Sequence, residues 1–579
     1  MPGGLLNIIA FGNSNIILNG NPSKTFFKTT YAKYTNFGIQ KFRIDQNSNQ
    51  NIELNNDSIF VFKMPRHAEL LMDTYLSVTL PNIWSTIVPP SLFNDLWKPY
   101  HFKWVDHLGT TMIKSIRIMI GTSLIQEYTG DYIRCMVERD FSDEQKKQFD
   151  YMSGNVTELH SPENYGGNRD NQYPNSFFTL TIDGPEPSIR GRKLYIPLCP
   201  WFMNHSKLAF PLVSLQYSEI TIEVTLRPLK ELFTINNILS AEKDLQNLID
   251  NNYVYNTLKT NFYQRIQPDF TNERHSMYRF LQPPPTISLN TSDYENTISI
   301  WDADVHIIAN YGFLTPEESK VFALNEQKYL IKDIKTTLFH NIVGSKKVKV
   351  ETNALVSNWM WFYRRSDAYK RNQWTNYTNW ETSVIPFSLT SGISQSSYTI
   401  GATLNPSITD STIGVGPGND IIDDGVTRMP TGHKITPDFT IQNQKFILNT
   451  FSIIIDGKIR ETDFDAGVYQ YVEKYKSTKS SSELGIYHYN FCLDTSNYIQ
   501  PTGAINLSRF RNIELEMTTL TPEIDASYES LVLCDENGGV IGVTKEEPLY
   551  VYTYDMYLFE ERYNILRIVS GNGGLIFAR

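Results

Sequence analysis

At 579 residues, with 41% apolar and 20% charged side chains, the chain has the make-up of a globular protein that buries real cores. Aromatics reach 13%, with 34 Tyr and 32 Phe, which favours strands over helices; all-β sandwiches commonly take about 200–250 residues each, so two large β domains fit the length. A formal net charge of −10, with no basic run longer than Arg364-Arg365 or Lys346-Lys347, excludes a protein that coats nucleic acid, and such pairs are expected as solvated strand-end charges.

Met1 to Ala10 lack a basic n-region and do not read as a signal peptide. No stretch approaches the roughly 18 apolar residues of a spanning helix, so a soluble chain made in the cytosol is expected. Cys135, Cys199, Cys492 and Cys534 are dispersed, without Cys-x-x-Cys or zinc spacing, and read as buried thiols in a reducing compartment.

In chain order, residues 1–25 read as an N-terminal arm that closes in the turn Asn19-Gly20-Asn21-Pro22. A first β domain, 26–230, carries strand-like runs at Ser58 to Met64, Met72 to Leu80, Met112 to Ile120, Phe177 to Ile182, Lys193 to Leu198 and Glu219 to Leu226. Its long insertion, about 140–192, includes Ser142-x-x-Gln145, a capping box that opens a helix of about two turns. Residues 231–295, with a helical stretch near Ala241–Asp250 and the stop Pro283-Pro284-Pro285, read as the crossing between domains.

The second domain is expected over 296–579. It contains the helix start Thr315-Pro316-Glu317-Glu318, with Pro at the first helical position. Strands follow at Leu330–Leu338, Lys346–Val350, Trp359–Tyr363, Phe446–Ile455, Ile486–Leu493, Ile513–Thr518 and Leu549–Phe559. The Ser, Thr, Gly and Pro-rich stretch of about 386–440 reads as a second surface insertion.

The two domains echo each other. Ile118-Met119-Ile120-Gly121-Thr122-Ser123-Leu124-Ile125-Gln126-Glu127 and Ile453-Ile454-Ile455-Asp456-Gly457-Lys458-Ile459-Arg460-Glu461 are both hairpin signatures. Each is followed by a further matching strand: Tyr217-x-x-Ile220-x-Ile222-Glu223-Val224, then Phe510-x-x-Ile513-x-Leu515-Glu516-Met517. A period of hundreds of residues is a duplicated domain, not a solenoid.

Few residues suggest chemistry. Gly414 to Gly418 lacks the spacing of a phosphate loop, and Asp420-x-x-Asp423-Asp424-Gly425 lacks the closing Glu of a calcium loop. His67, Glu69 and Asp73 could sit on alternating strand positions as metal ligands, but a hydrogen-bonded strand histidine is the plainer reading. No nucleophile elbow is present, so no catalytic, metal or cofactor site is expected. Trp359, Trp361, Phe362, Tyr363, Trp374, Tyr377 and Trp380 read as core and subunit interface, with a sugar-stacking platform as the alternative. Among the Asn-x-Ser/Thr patterns, Asn155 is the leading glycosylation candidate, ahead of Asn376, Asn290 and Asn56; those at Asn204 and Asn506 read as chance in an Asn-rich chain.

Longer stretches carry a family likeness. They include the opening Gly20-Asn21-Pro22 with Thr25-Phe26-Phe27-Lys28 and Tyr34-Thr35-Asn36-Phe37, and Leu194-Tyr195-Ile196-Pro197-Leu198 with Trp201-Phe202. Leu208-Ala209-Phe210-Pro211-Leu212 with Leu215-Gln216-Tyr217 follows, then Pro501-Thr502-Gly503-Ala504-Ile505-Asn506-Leu507-Ser508-Arg509, and last Tyr563 to Leu575. In that order the chain resembles the major capsid proteins of nucleocytoplasmic large DNA viruses, with the mimivirus-like branch nearest.

The resemblance implies an all-β fold of two consecutive eight-stranded jelly rolls, a homotrimeric pseudo-hexagonal capsomer, and an icosahedral shell over an internal membrane. It implies partners in neighbouring capsomers and in minor, cement and penton proteins, and assembly in a virus factory of the host cytoplasm. No direct nucleic-acid binding and no catalysis are expected. Both insertions would face outward and the apolar arm inward. The competing reading is a glycan-binding or glycan-cleaving β-sandwich.

Overall fold

The computed structural model describes residues 16–29, 31–47, 50–89, 98–165, 173–177, 184–238, 265–286, 289–382, 413–416, 419–423, 428–430, 444–477, 483, 485–525, 531–534, 539–544 and 549–577. The chain builds two β-sandwiches of the same strand order. The strands of the first are β1 (Phe37–Asp45), β2 (Ser58–Lys63), β3 (Leu70–Thr79), β4 (Ile113–Ile120), β5 (Ser123–Tyr128), β6 (Lys193–Pro197), β7 (Ile220–Leu226) and β8 (His306–Leu314). They form one sheet in the order β1-β8-β3, with β6 also on β3, and a second in the order β2-β7-β4-β5.

The other sandwich repeats this with β9 (Gln327–Ile342), β10 (Ser345–Lys349), β11 (Leu355–Arg365), β12 (Leu448–Ile455), β13 (Lys458–Asp465), β14 (Ile486–Asn490), β15 (Ile513–Thr519) and β16 (Tyr554–Val569). Its sheets run β9-β16-β11-β14 and β10-β15-β12-β13. Every strand of the first sandwich therefore has a counterpart eight strands later, all antiparallel, which is the double jelly roll.

Local sequence explains the pattern. β7 and β15 share the same alternation of buried and half-buried residues, so each turns one face to a core and the other outward. The β12–β13 hairpin turns on Asp456 and Gly457, both at positive φ, which matches the twist of the flanking strands. Ile118 on β4 pairs with Ile222 on β7, and Ile453 on β12 with Leu515 on β15, so the two echoes occupy equivalent strands. The first core centres on Phe60, Phe62, Ile116, Ile118 and Val224; the second on Trp359, Trp361, Phe451 and Leu515.

Two expectations change. Strand β8, placed by the sequence in a second domain from 296 onward, pairs with β1 along nine residues and with β3, so it closes the first sandwich. Residues 231–295 are then a long connection between β7 and β8 within one jelly roll, and the link between the sandwiches is the helix Pro316–Leu324. Patterning misplaced the boundary because the final strand of a jelly roll comes from far along the chain and pairs with the first.

The insertion from 140 opens with the expected helix, which runs 11 residues rather than about two turns. Helix α1 (Gly130–Asp140) runs into α2 (Asp143–Ser153), which opens on the expected Ser142/Gln145 capping box, ends at Gly154 in the left-handed region, and buries Phe149. Second, Arg364 and Arg365 are buried rather than solvated, because both have carboxylate partners. The helix expected near Ala241–Asp250 and the strand near Phe177 to Ile182 lie largely outside the described residues, as does most of 386–440, apart from strands Ile413–Gly416, Asn419–Asp423 and Arg428–Pro430.

Candidate functional site

For a chain of two sandwiches, the functional geometry is how each half meets its neighbours. Within the chain the junction is built by β5 and α1. Thr129 caps α1, accepting from the Tyr132 N–H, and Gly130 admits the helix beside β4: a Cβ there would lie 1.9 Å from the Thr110 carbonyl. Gln126 on β5 donates to the Lys332 carbonyl of β9 at 2.9 Å. α1 then crosses the outer face of the β9-β16-β11-β14 sheet, with the Tyr132 ring 5.9 Å from that of Phe559.

At its far end, α1 plants Arg139 among fully buried acceptors. The guanidinium donates to Glu561 at 2.8 Å, to Asp140 at 2.7 Å and to the Asn358 side-chain oxygen at 2.8 Å. Glu561 also accepts from Tyr132 at 2.9 Å and Asn358 at 2.8 Å, and lies 3.2 Å from the Lys332 ammonium. Asp140 accepts from Thr495 and Tyr498. Burial alone would push the Glu561 and Asp140 carboxyls up; Arg139 foremost, with Lys332, outweighs it and holds both below their ordinary values. Asp131, near the start of α1, pairs with Arg364 at 3.0 Å. Beside this cluster, His488 is fully buried with neither ring nitrogen hydrogen-bonded among the described residues, and burial, with Lys474 and Arg139 nearby, holds it well below its usual value.

Sequence reading missed this clasp. The available signal was charge inside otherwise apolar strand and helix patterns, Glu560-Glu561-Arg562 and Arg139-Asp140.

The molecule also leaves large apolar surfaces open. The arm is one, with Ile17 88% and Leu18 85% exposed, and Phe26 and Phe27 just after it are exposed as well. Edge strand β13 is exposed at nearly every position, and the turns after it present Tyr471, Val472 and Tyr475 to solvent.

Comparison with known proteins decides what such a molecule is for. A family model described as "Major capsid protein N-terminus" matches residues 25–263, and one described as "Large eukaryotic DNA virus major capsid protein" matches residues 318–574. The chain belongs to the large eukaryotic DNA virus major capsid proteins. It is 23% identical over 617 residues to the major capsid protein of Phaeocystis pouchetii virus, covering 100% of both chains. It is similarly 23% identical, over 100% of both, to that of Paramecium bursaria Chlorella virus 1. Capsid protein 1 of Acanthamoeba polyphaga mimivirus is 29% identical over 42% of this chain and 37% of its own. The fold matches the Faustovirus major capsid protein with a TM-score of 0.55 at 13% identity, covering 98% and 99% of the two chains. A chain of the PBCV-1 capsid gives 0.54 at 18%, covering 96% and 100%.

A capsid protein of this family is a structural subunit of the virion shell, not an enzyme. The residues weighed for other roles fall into place as structure. Trp359, Trp361 and Tyr363 fill the second core, while Tyr377 is buried against Phe362. Trp374 donates to the Glu231 carbonyl at 2.9 Å under the Arg227 guanidinium, so the aromatic run forms no sugar platform. His67 stacks on Phe42, Glu69 accepts from the Leu314 N–H, and Asp73 accepts from Asn310 at 2.7 Å; each has its own partner. Cys135, Cys199 and Cys492 are buried free thiols.

The sequons divide. The Asn155 amide is engaged on both sides, accepting from the His107 N–H and donating to Asp150, and Asn376 is buried and bonded to Trp380 and Thr378. Asn290 and Asn56 are exposed.

Proposed function

We propose that three copies of this chain form a homotrimeric, pseudo-hexagonal capsomer that tiles the icosahedral shell of a large DNA virus. The observation that carries this is the repetition itself: two sandwiches of identical strand order, held in one fixed relation by the clasp. Three such chains place six similar sandwiches around a threefold axis and give a nearly hexagonal outline that packs on a flat facet.

In the same reading, assembly takes place in the host cytoplasm, and the inner side of the tile meets minor capsid proteins above an internal membrane. Ile17 and Leu18 of the arm, with Phe26, Phe27, Tyr31 and Tyr34 just after it, support that orientation, since they expose apolar surface that needs cover from a neighbour. Sequence reading put the insertions of 140–192 and 386–440 on the outer side, and we keep that placement. If the shell carries sugar, Asn290 and Asn56 fit better than Asn155 or Asn376, whose amides are engaged. Mass measurement in solution tests the unit: a species of three chain masses at micromolar concentration is expected, and a monomer would overturn it. In intact particles, proteolysis should spare residues 1–20.

A further inference from the structure

Beside the clasp, where β5 and α1 meet β9, lies a small cavity of about 10 Å³. Gln126, Tyr132, Trp201 and Lys332 line it, with apolar Met136 and Leu330. The lining comes from both halves of the molecule. Gln126 is on β5 and Trp201 is in the turn Trp201–Met203 after β6; Tyr132 and Met136 are on α1. Leu330 and Lys332 are on β9 of the second sandwich.

Two of these residues carry a buried polar atom with no hydrogen-bond partner among the described residues: Gln126 Oε1 and Trp201 Nε1. Both side chains are almost sealed from solvent, with Gln126 4% and Trp201 2% exposed. The Gln126 amide cannot turn over to help itself, because its nitrogen already donates to the Lys332 carbonyl at 2.9 Å. Its oxygen is thus fixed as an acceptor in need of a donor. Trp201 Nε1 is the reverse, a donor that can never accept. Burial makes each costly to leave unmet.

A single group that both donates and accepts answers both needs. Size names it, since about 10 Å³ is close to the room that one water takes up. The rest of the lining fits water as well. The Lys332 ammonium spends two of its three N–H groups, on the Thr495 carbonyl at 2.6 Å and on Glu561 at 3.2 Å. The Tyr132 hydroxyl donates to Glu561 at 2.9 Å and can still accept. A buried water makes about three hydrogen bonds, and four polar side chains line this cavity. A metal ion of that size would face an ammonium and an N–H donor, so charge argues against it.

We propose that one buried water occupies this cavity, accepting from Trp201 Nε1 and donating to Gln126 Oε1 beside Lys332. Arg139 and Glu561 hold α1 to the second sandwich; the water ties the turn after β6 and strand β5 into the same cluster through Lys332. Water-mediated bonds of this kind are nearly as good as direct ones. The site belongs to the single chain, so failure of the capsomer reading would leave it standing.

Two measurements on the full-length chain test it. In a map of wild type fine enough to show ordered water, a peak is expected about 2.7–3.2 Å from both Trp201 Nε1 and Gln126 Oε1. A cavity without density, in a map that shows other buried waters, would overturn the proposal. The second measurement is a double-variant cycle with Trp201→Phe and Gln126→Met, which remove one partner each and keep most of the bulk. The indole and the amide are not bonded to each other, so coupling between them must run through what lies between. Each variant alone should lower the urea midpoint, and the pair should lower it by clearly less than the two losses added. Strictly additive losses would overturn the bridge. If either variant fails to fold, the wild-type map decides alone.

Discussion

The segments that follow β5 and β13 start from the same place in the same fold and end in opposite environments. After β5, Arg139, Asp140 and Glu561 are sealed from water; after β13, Tyr475 stands almost wholly in it. Fold alone does not decide burial. The connection after β5 crosses onto the sister sandwich and becomes core, whereas the connection after β13 buries Tyr469, Gln470 and Lys474 against its own chain and leaves Tyr471, Val472 and Tyr475 exposed. Duplication therefore produces one fully buried joint and one half-exposed connection from a single design.

The largest expected effect breaks the buried joint. Arg139→Met leaves the Glu561 and Asp140 carboxylates buried without their guanidinium, facing Lys332 and neutral donors, and loss of one partner in a buried ion cluster costs about 3–5 kcal/mol. Lys476, at the matching step after Gly467, is exposed, so Lys476→Met should stay within about 0.5 kcal/mol. Denaturant titration of both variants measures the contrast, and equal losses would dissolve the distinction between the two connections.

Next come the glycines that open the two segments. In Gly130→Ala the new Cβ would stand 1.9 Å from the Thr110 carbonyl and 2.6 Å from that of Ile113, both backbone, so the helix must shift; such overpacking costs about 1–3 kcal/mol. In Gly467→Ala the nearest atom is the Asp465 carboxylate at 3.0 Å, on an exposed side chain that can move, and the change should be small. Thermal midpoints under one buffer separate the two.

Acid sharpens the comparison further. The ordinary histidine value is about 6.5, and His488 sits well below it in the folded chain because burial disfavours its charged form. Below about pH 6.5 the unfolded chain takes up a proton that the folded chain refuses, so stability falls by about 1.4 kcal/mol per pH unit for this residue. The loss continues until the folded-state value is reached. His101, lowered to about 4 by burial and then by Arg265 and Lys103, adds in the same direction over pH 6.5 to 4. The depressed carboxylates Glu561 and Asp140 stabilise the fold above their ordinary range, near pH 4, and that part is lost only as pH falls lower still. His488→Phe should flatten the slope between pH 6.5 and 5 in urea titrations; an unchanged slope would place the proton uptake elsewhere.

These details show what a one-dimensional reading captures. Hairpins such as Ile118–Glu127 and Ile453–Glu461 were legible because alternation and a glycine turn are local, and their repetition revealed the duplication. Strand β8 was assigned to the wrong half because its partners, β1 and β3, lie more than two hundred residues earlier, and pairing over that span leaves no local trace. Arg364 looked like a surface charge because its neutralising partner, Asp131, is found by folding rather than by spacing, whereas Arg365 pairs with Asp367 two residues on and is buried by what packs around the pair. The clasp stayed hidden for the same reason: Arg139 and Glu561 are near only in three dimensions.

The smallest expected effect concerns what holds α1 from behind. α2 has no role in the contact itself, but Lys146 on α2 bonds Glu138 at 2.9 Å, so α2 braces the end of α1 next to Arg139. The brace depends on the Ser142 cap, whose hydroxyl accepts from the Gln145 N–H while the Gln145 side chain accepts from the Ser142 N–H. Ser142→Ala removes one of these bonds and should cost about 1 kcal/mol. Amide exchange should quicken along α2 and at the end of α1, and more weakly near Lys474, which donates to the Glu138 carbonyl at 2.8 Å. Unchanged exchange at the end of α1 would mean that α2 does not brace it and that Arg139 is held by its buried partners alone.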